Sequence, residues 1–269
     1  MSPILSSGPF DVFLQKAVDI PNALPEIGRL RELTFRAVGE GTGASSDIDA
    51  FDRHYWHLFL WHREHRQIAG AYRLADRECL PAGTGFYTAT LFSFPRNWST
   101  LASQAVELGR SFVLPRYQRD FLPLMLLWKG IGVFVRNRPH LRYLFGPVSV
   151  SSDYSTASRT AIATHFSAWP KGYRPRNPLT HALARWPGVQ RHRNTEELDA
   201  HIASLEPDGK GLPVLLRQYL NLGGEILCLN VDPRFSNTLD GLVLLDLAKT
   251  PPRLLARYFG PEAAERFQR

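Results

Sequence analysis

An acid and an arginine lie three residues apart in an apolar segment of the chain. Glu107 and Arg110 are embedded in residues 106–113, and a second apolar stretch at 121–135 follows after Pro115. This pattern predicts a strand, a bend and a helix. Charged side chains are costly inside a strand unless they have partners or a function. The start of the helix would offer unpaired N–H groups for an anionic substrate group, so the segment is a candidate catalytic site.

Periodicity and turn residues predict the mixed α/β elements that must position this pair. Helices are expected at residues 27–38, 121–136, 155–167, 195–205, 212–222 and 251–258. Strands are expected at residues 55–62, 68–74, 86–92, within 101–113, and at 141–149, 225–231 and 241–247. Residues from about 168 to 193 are rich in proline and arginine, which indicates an insertion.

Composition narrows the class of protein. The 269 residues are 44% hydrophobic, and no apolar run reaches the ~18 residues of a membrane-spanning helix. Two cysteines, Cys79 and Cys228, cannot form a disulfide framework, which favours a reducing cytoplasm. The first ten residues lack the basic and apolar regions of a signal peptide. We therefore expect a cytoplasmic protein.

The net charge of +7 is compatible with nucleic acid, an anionic membrane or an acidic protein partner. No zinc-finger, RNA-binding or helix-turn-helix signature is present in the sequence. We therefore expect no nucleic-acid partner.

Several motifs occur in a fixed order along the chain. They are Arg31-x-x-x-Phe35-Arg36, Asp47-x-Asp49-x-Phe51-Asp52, Gly70-x-Tyr72-Arg73-Leu74, Glu107-Leu-Gly-Arg110-Ser with Pro115-x-Tyr117, Tyr143-Leu-Phe-Gly146-x-Val148-Ser149 and Leu239-Asp240-Gly241-Leu242. From about residue 26 to the C-terminus, this set resembles the ornithine lipid N-acyltransferase family. That family is part of the GNAT superfamily and is similar to the acyl-homoserine lactone synthases.

The resemblance implies an α/β fold with a GNAT-like mixed central sheet, whose strands splay and are flanked by helices. Residues 26–269 would form one domain, preceded by an N-terminal extension at 1–25. The implied enzyme moves a long-chain acyl group, with or without a 3-hydroxyl, from acyl carrier protein to the α-amine of an amino acid such as ornithine or glycine. The product would be a lyso-aminolipid. Two alternatives stay open: a signal synthase like the acyl-homoserine lactone synthases, and a non-enzymatic lipid- or carrier-binding protein.

Within this resemblance, Glu107 and Arg110 are the catalytic candidates. A carboxylate in an enclosed site can take the proton that an ammonium group must lose before its nitrogen attacks. Glu107 would then be the general base, and Arg110 would orient the substrate. The alternative is that the two side chains form a structural ion pair.

The acceptor side is expected to be shaped by a cluster of charged and aromatic side chains. The resemblance places Arg31, Phe35, Asp49, Asp52 and Arg73 there, and ion pairs of Arg31 or Arg73 with the aspartates are expected.

Three further candidates for substrate binding are Phe92, Ser149 and Asp240. Asp240 could pair with the acceptor's ammonium group; the alternative, which the residues support slightly better, is a role in a β-turn.

The segment after the central strand bears on the acyl donor. The superfamily's usual coenzyme A loop has glycines there, and residues 110–120 contain none. This departure favours an acyl-phosphopantetheine thioester on acyl carrier protein as the donor, with no permanently bound cofactor. Arg116 and Arg119 could meet the phosphate or acidic carrier residues; the alternative is a solvated basic helix cap. The net positive charge of the chain is compatible with an acidic carrier protein or with an anionic lipid surface. Peripheral binding to the inner face of the cytoplasmic membrane is therefore a second expectation.

A metal site is not expected. Histidines are frequent between residues 54 and 65, but His57 and His62 face opposite sides of a strand because their separation is odd. The Asp47-x-Asp49-x-x-Asp52 motif lacks the turn glycine and the further oxygen ligands of a calcium loop.

Overall fold

The structure is a computed structural model, which describes residues 1–168, 170–179 and 192–268. Its strands are β1 (Leu5–Ser7), β2 (Phe10–Lys16), β3 (Trp56–His62), β4 (Gln67–Ala75), β5 (Phe92–Ser93), β6 (Ala105–Val113), β7 (Tyr143–Val150), β8 (Arg174–Pro175), β9 (Glu225–Asp232) and β10 (Thr238–Asp246). Its helices are α1 (Ala23–Arg36), α2 (Trp98–Ala102), α3 (Phe121–Arg136), α4 (Thr156–His165), α5 (Thr195–Leu205), α6 (Val214–Asn221), α7 (Pro252–Phe259) and α8 (Pro261–Gln268).

One mixed sheet organises the fold. Its strand order is β1-β2-β3-β4-β6-β7-β10-β9, and β5 pairs with β8 in a separate two-stranded sheet. Neighbouring strands of the large sheet are antiparallel, except that β6 and β7 are parallel. A parallel pair needs a crossover, and α3 lies between these two strands in the chain. The mixed α/β architecture is as predicted.

The parallel strands separate after three residue pairs. Ala105–Glu107 pairs with Tyr143–Phe145, but β6 continues to Val113 and β7 to Val150 without further pairing between them. Before the separation the backbones are very close, since a Cβ on Gly146 would overlap the carbonyl oxygen of Leu108. The next residue, Pro147, has no N–H to donate. These residues end the ladder and open the predicted splay.

Helix α3 covers the sheet with its apolar side. The Asp120 side chain accepts the Leu122 N–H at 2.9 Å and so caps the helix at its first turn. Leu127, Trp128 and Ile131 are completely buried, and each such side chain contributes roughly 1.5–3 kcal/mol by leaving water. The helix boundaries match the expected 121–136.

Two regions differ in detail from the sequence expectations. The residues set apart as an extension, 1–25, include β2, which pairs with β3 inside the central sheet. The expected strand at 86–92 is wrong: a single 3₁₀ turn at Tyr87–Thr90 precedes the two-residue strand β5. The reason is that the N–H groups of Tyr87 and Thr88 point to a buried carboxylate instead of a neighbouring strand.

Much of the proline- and arginine-rich insertion, at 169 and 180–191, lies outside the described residues. Its described part contributes β8. Among the helices described, none is both long and apolar enough to cross a membrane.

Candidate active site

A cavity of about 390 Å³ opens where β6 and β7 separate. This volume falls within the usual range for small-molecule sites. Its apolar wall includes Phe35, Phe112, Phe121, Leu124 and Val214. Its polar groups include Glu40, Tyr87, Arg110, Ser149, Asp232 and Asp240. The cavity therefore combines an apolar compartment with charged groups of both signs.

Arg110 enters the cavity through an irregularity in the sheet. Ala71 pairs with Phe112 but Arg73 pairs with Gly109, so one residue of β4 lies opposite two of β6. Such a bulge redirects side chains next to active sites, and Arg110, within the bulge, has a left-handed φ of 50°. Its guanidinium carbon lies 4.7 Å and 4.6 Å from the ring centroids of Tyr87 and Phe235, within cation–π range.

Behind the cavity lies a buried network of three arginines and three aspartates. Arg31 Nε is 2.9 Å from Asp47 Oδ2, and Arg31 Nη2 is 3.1 Å from Asp52 Oδ2. Arg73 Nη1 is 2.7 Å from Asp49 Oδ1 and 3.2 Å from Asp52 Oδ2. The expected ion pairs of Arg31 and Arg73 with the aspartates are therefore present.

Arg110 joins the same network from the cavity side. Its Nε is 3.3 Å from Asp47 Oδ2, and its Nη2 is 3.5 Å from Asp49 Oδ2. Burial would raise the pKa of Asp52, but Arg73 and Arg31 outweigh that effect and lower it. The network thus keeps Asp52 ionised and orients the guanidinium of Arg110 beside the cavity.

Glu107 occupies a different position from its expected partner. Among the described salt bridges none joins Glu107 to Arg110, and Glu107 is not among the residues that line the cavity. Its carboxylate accepts hydrogen bonds from the Tyr55 and Thr88 hydroxyls, from the Tyr87 N–H at 3.1 Å and from the Thr88 N–H at 2.5 Å. Burial raises the pKa of Glu107, although these hydrogen bonds oppose the rise. The contacts favour a role in positioning Tyr87, and a role as general base stays a prediction.

Glu40 is a cavity acid that the sequence analysis missed. It follows α1 in a loop held by buried Glu32, whose carboxylate accepts the Thr42 and Gly43 N–H groups at 3.1 and 3.0 Å. The Glu40 N–H donates to the Phe35 carbonyl at 2.8 Å. Burial, with the nearby negative charges of Asp240 and Asp153, raises the pKa of Glu40 to about 8, against the opposing effect of Arg110. Its only sequence signal is an acid between two glycines, Gly39 and Gly41.

Asp240 and Ser149 face the cavity from adjacent strands. They are register partners on β10 and β7, and the Ser149 hydroxyl donates to Asp240 Oδ1 at 2.8 Å. Burial raises the pKa of Asp240 to about 7, and the negative charge of Asp232 adds to the effect. Both residues were substrate-binding candidates.

The remaining candidates are distributed around the site. Phe35 lines the cavity, whereas Phe92 is fully buried in a separate aromatic cluster. Arg116 and Arg119 are exposed, and they lie in one short segment with Tyr117, Gln118 and Asp120. Gln118 and Asp120 line the cavity. The structure thus brings the predicted donor-side arginines next to cavity residues.

One group of side chains among the described residues has metal-ligand spacing. Asp76, Glu78 and His140 place ligand atoms within 4.8 Å of one another. Arg138 Nε lies 2.8 Å from Asp76 Oδ2, so a cation already neutralises this acid. None of the three lines the cavity.

Comparison with known proteins gives consistent matches. Residues 30–129 match the family model described as Acetyltransferase (GNAT) domain. The glycine N(alpha)-acyltransferase of Phocaeicola vulgatus is 33% identical over 190 residues, 63% of this chain and 57% of that protein. The L-ornithine N(alpha)-acyltransferase of Brucella abortus is 27% identical over 262 residues, 91% of this chain and 89% of that protein.

Matches to the glycine relatives are partial. The chain spans 57% of the Phocaeicola protein and 52% of a second glycine N(alpha)-acyltransferase, from Bacteroides thetaiotaomicron. Among solved structures, FeeM, an N-acyl amino acid synthase from uncultured soil microbes, aligns with a TM-score of 0.49 at 12% identity, over 94% of this chain and 100% of FeeM. Residues 30–129 thus match a GNAT acetyltransferase domain, and the chain is similar to the glycine and ornithine N(alpha)-acyltransferases, as its sequence motifs predicted.

Proposed function

We propose that this chain transfers a long-chain acyl group from a thioester donor to the α-amine of an amino acid. The observation that carries the proposal is the cavity at the β6–β7 separation, where an apolar wall adjoins Arg110 and several carboxylates. An acyl chain and a zwitterionic amino acid need these two environments side by side. The names of the similar proteins, glycine and L-ornithine N(alpha)-acyltransferase, support the same chemistry.

The apolar wall suits the acyl chain of the donor. Phe112, Leu124 and Val214 contribute to it from a strand and two helices. Each methylene buried there would contribute about 0.8 kcal/mol to binding, so long acyl groups, including 3-hydroxyacyl groups, are the proposed donors.

The polar groups suit the amino acid. Arg110 would bind the α-carboxylate, since a guanidinium pairs well with carboxylates. Asp240 and Asp232 would hold ammonium groups by charge. Ornithine and glycine are the proposed acceptors, and the product would be a lyso-aminolipid.

Acyl carrier protein is the proposed donor in place of coenzyme A. The Asp120 carboxylate already accepts a hydrogen bond at the start of α3 and adds negative charge where the superfamily's pyrophosphate would bind. Residues 110–120 contain no glycine for a phosphate-binding loop. Arg116 and Arg119 are exposed beside this segment and would bind acidic carrier residues or the phosphopantetheine phosphate.

Peripheral contact with the inner face of the cytoplasmic membrane is part of the proposal. The product has a long acyl chain and must pass to a bilayer. Phe121, a cavity residue, has 46% of its surface exposed, and the guanidinium of Arg257 lies 5.0 Å from its ring. This pair would suit an anionic lipid surface.

The test is a reconstituted reaction with purified protein. Acyl carrier protein thioesters and the matching coenzyme A thioesters are each supplied with a panel of amino acids, and products are identified by mass spectrometry. We expect an N-acyl amino acid, a higher kcat/KM with the carrier donor, and loss of product in Arg110→Ala but not in the exposed control Arg96→Ala. Thioester hydrolysis without amide formation would contradict the function, and equal kcat/KM for both donors would contradict the carrier assignment.

A further inference from the structure

Four acidic side chains line the cavity, and they differ in their hydrogen bonding. Asp120 and Asp232 each accept a backbone N–H of their own segment at 2.9 Å. Asp240 accepts the Ser149 hydroxyl at 2.8 Å. Within the part of the chain that the structure describes, no hydrogen bond or salt bridge involves the Glu40 carboxylate. Among these four described acids, Glu40 is thus the one with both carboxylate oxygens free of hydrogen bonds and available to a ligand.

The loop that carries Glu40 is nevertheless firmly held. Glu32 is 1% exposed, and its carboxylate binds the backbone of the loop at Thr42 and Gly43. A second bond joins the Ser152 hydroxyl to the Gly39 carbonyl at 3.3 Å. A free carboxylate on an anchored loop is the arrangement that a positioned acid–base group needs.

We propose that Glu40 is the general base of the acyl transfer. This inference rests on the proposed function and adds the group that handles the protons. The Glu40 carboxylate takes one proton from the acceptor's ammonium group, which leaves a neutral amine. The amine nitrogen attacks the thioester carbonyl, a C–N bond forms, and the C–S bond breaks. The nitrogen's second proton passes to the departing thiolate, and Glu40 returns its own proton to solvent.

The charges around Glu40 suit this task. Burial disfavours its ionised form most, Asp240 on β10 and Asp153 after β7 add to that effect, and Arg110 on β6 opposes it. Asp232 at the end of β9 also lines the cavity. The resulting pKa of about 8 lies near a working pH, which is where a general base is most efficient. The arriving ammonium group adds positive charge that would further favour the carboxylate.

The test is the Glu40→Gln variant, compared with Glu64→Gln, which changes an exposed acid in the β3–β4 turn. We expect kcat of Glu40→Gln to fall by roughly 10²–10⁴ with little change in KM for the acyl donor. The rate of Glu40→Gln should rise with pH only because more of the acceptor amine is unprotonated. The titration that Glu40 gives to the wild-type pH profile should be absent. Added formate should partly restore the rate of Glu40→Ala. Thermal unfolding of each variant establishes that it is folded.

The outcomes separate this inference from the proposed function. If wild-type protein forms N-acyl amino acids and folded Glu40→Gln does so with an unchanged kcat and pH profile, Glu40 is not the base. A reduced kcat with the wild-type pH profile and no rescue by formate would also overturn the inference. If wild-type protein forms no amide from any donor, the proposed function itself fails.

Discussion

The carboxylate of Glu107 accepts the backbone N–H of Thr88 at 2.5 Å, and this bond ties β6 to the turn that carries Tyr87 into the cavity. The Tyr55 hydroxyl reinforces the connection, because it donates to Glu107 and accepts the Tyr87 N–H at 2.9 Å. The buried carboxylate of Glu107 therefore accepts the N–H groups of this turn that a neighbouring strand would otherwise accept.

The Glu107→Gln variant tests whether this residue positions or reacts. An amide offers one acceptor oxygen where the carboxylate offers two, so buried donors would lose partners. We expect the free energy of unfolding to fall by about 1–3 kcal/mol, while the acidic limb of the activity–pH profile persists. Chemical denaturation and the pH profile measure the two effects. A fully stable Glu107→Gln protein whose kcat falls roughly 10²–10⁴-fold and whose acidic limb disappears would instead identify Glu107 as the base.

Asp240 should make stability depend on pH. Its pKa is raised to about 7 in the folded protein and is roughly 4 in the unfolded chain. The folded state therefore binds this proton more tightly, and the stabilisation that results is fully present below about pH 4. That contribution is lost as pH rises through about 7. We expect the free energy of unfolding to decrease between pH 4 and pH 8 more in wild type than in Asp240→Asn, by on the order of 1–4 kcal/mol. The exposed control Asp19→Asn should retain the wild-type slope, and equal slopes for wild type and Asp240→Asn would exclude this effect.

The carrier-docking role of Arg116 and Arg119 can be tested by reversing both charges. In Arg116→Glu with Arg119→Glu, we expect KM for the carrier donor to rise several-fold and its dependence on ionic strength to weaken, because rim charges mainly steer association. The matched control reverses Arg66 and Arg96, which are exposed and do not line the cavity. A KM that stays at the wild-type value across ionic strengths would remove the docking role.

The acyl compartment should set the preferred chain length. Leu124→Trp adds volume to its wall, and each methylene excluded from it costs about 0.8 kcal/mol, or roughly fourfold in kcat/KM. We expect the optimum to move to shorter donors, as measured with an acyl series on one carrier protein. Leu33→Trp, at a position 48% exposed on α1, is the control. An unchanged chain-length profile in Leu124→Trp would place the acyl chain elsewhere.

The sequence predicts the regular elements well because their signals are local. Helix α3 begins after the Asp120 cap and carries an apolar stretch, and its limits follow from these residues. The separation of β6 and β7 follows from the family resemblance, not from periodicity. The turn at Tyr87–Thr90 could not be predicted locally, because an aromatic run there is typical of a strand and its true partner, Glu107, is distant in sequence.

The site could be predicted only in part for the same reason. The ion pairs of Arg31 and Arg73 with the aspartates follow from motifs that the resemblance supplies. Glu40 carries no such motif. It joins the cavity because Glu32 holds the loop after α1 and Ser152, which follows β7, bonds to Gly39 in that loop. The second of these contacts links distant parts of the chain.

The most direct test of the account is mass spectrometry of lipids from cells that lack aminolipids and express this chain. We predict a new mono-N-acylated amino acid in cells with the wild-type chain and none with Arg110→Ala expressed at the same level. An acyl-homoserine lactone in place of that lipid would identify a signal synthase, and an unchanged lipid profile in cells with folded wild-type protein would favour a binding protein. Either result would contradict the proposed transfer of an acyl group to an amino acid in the cavity between β6 and β7.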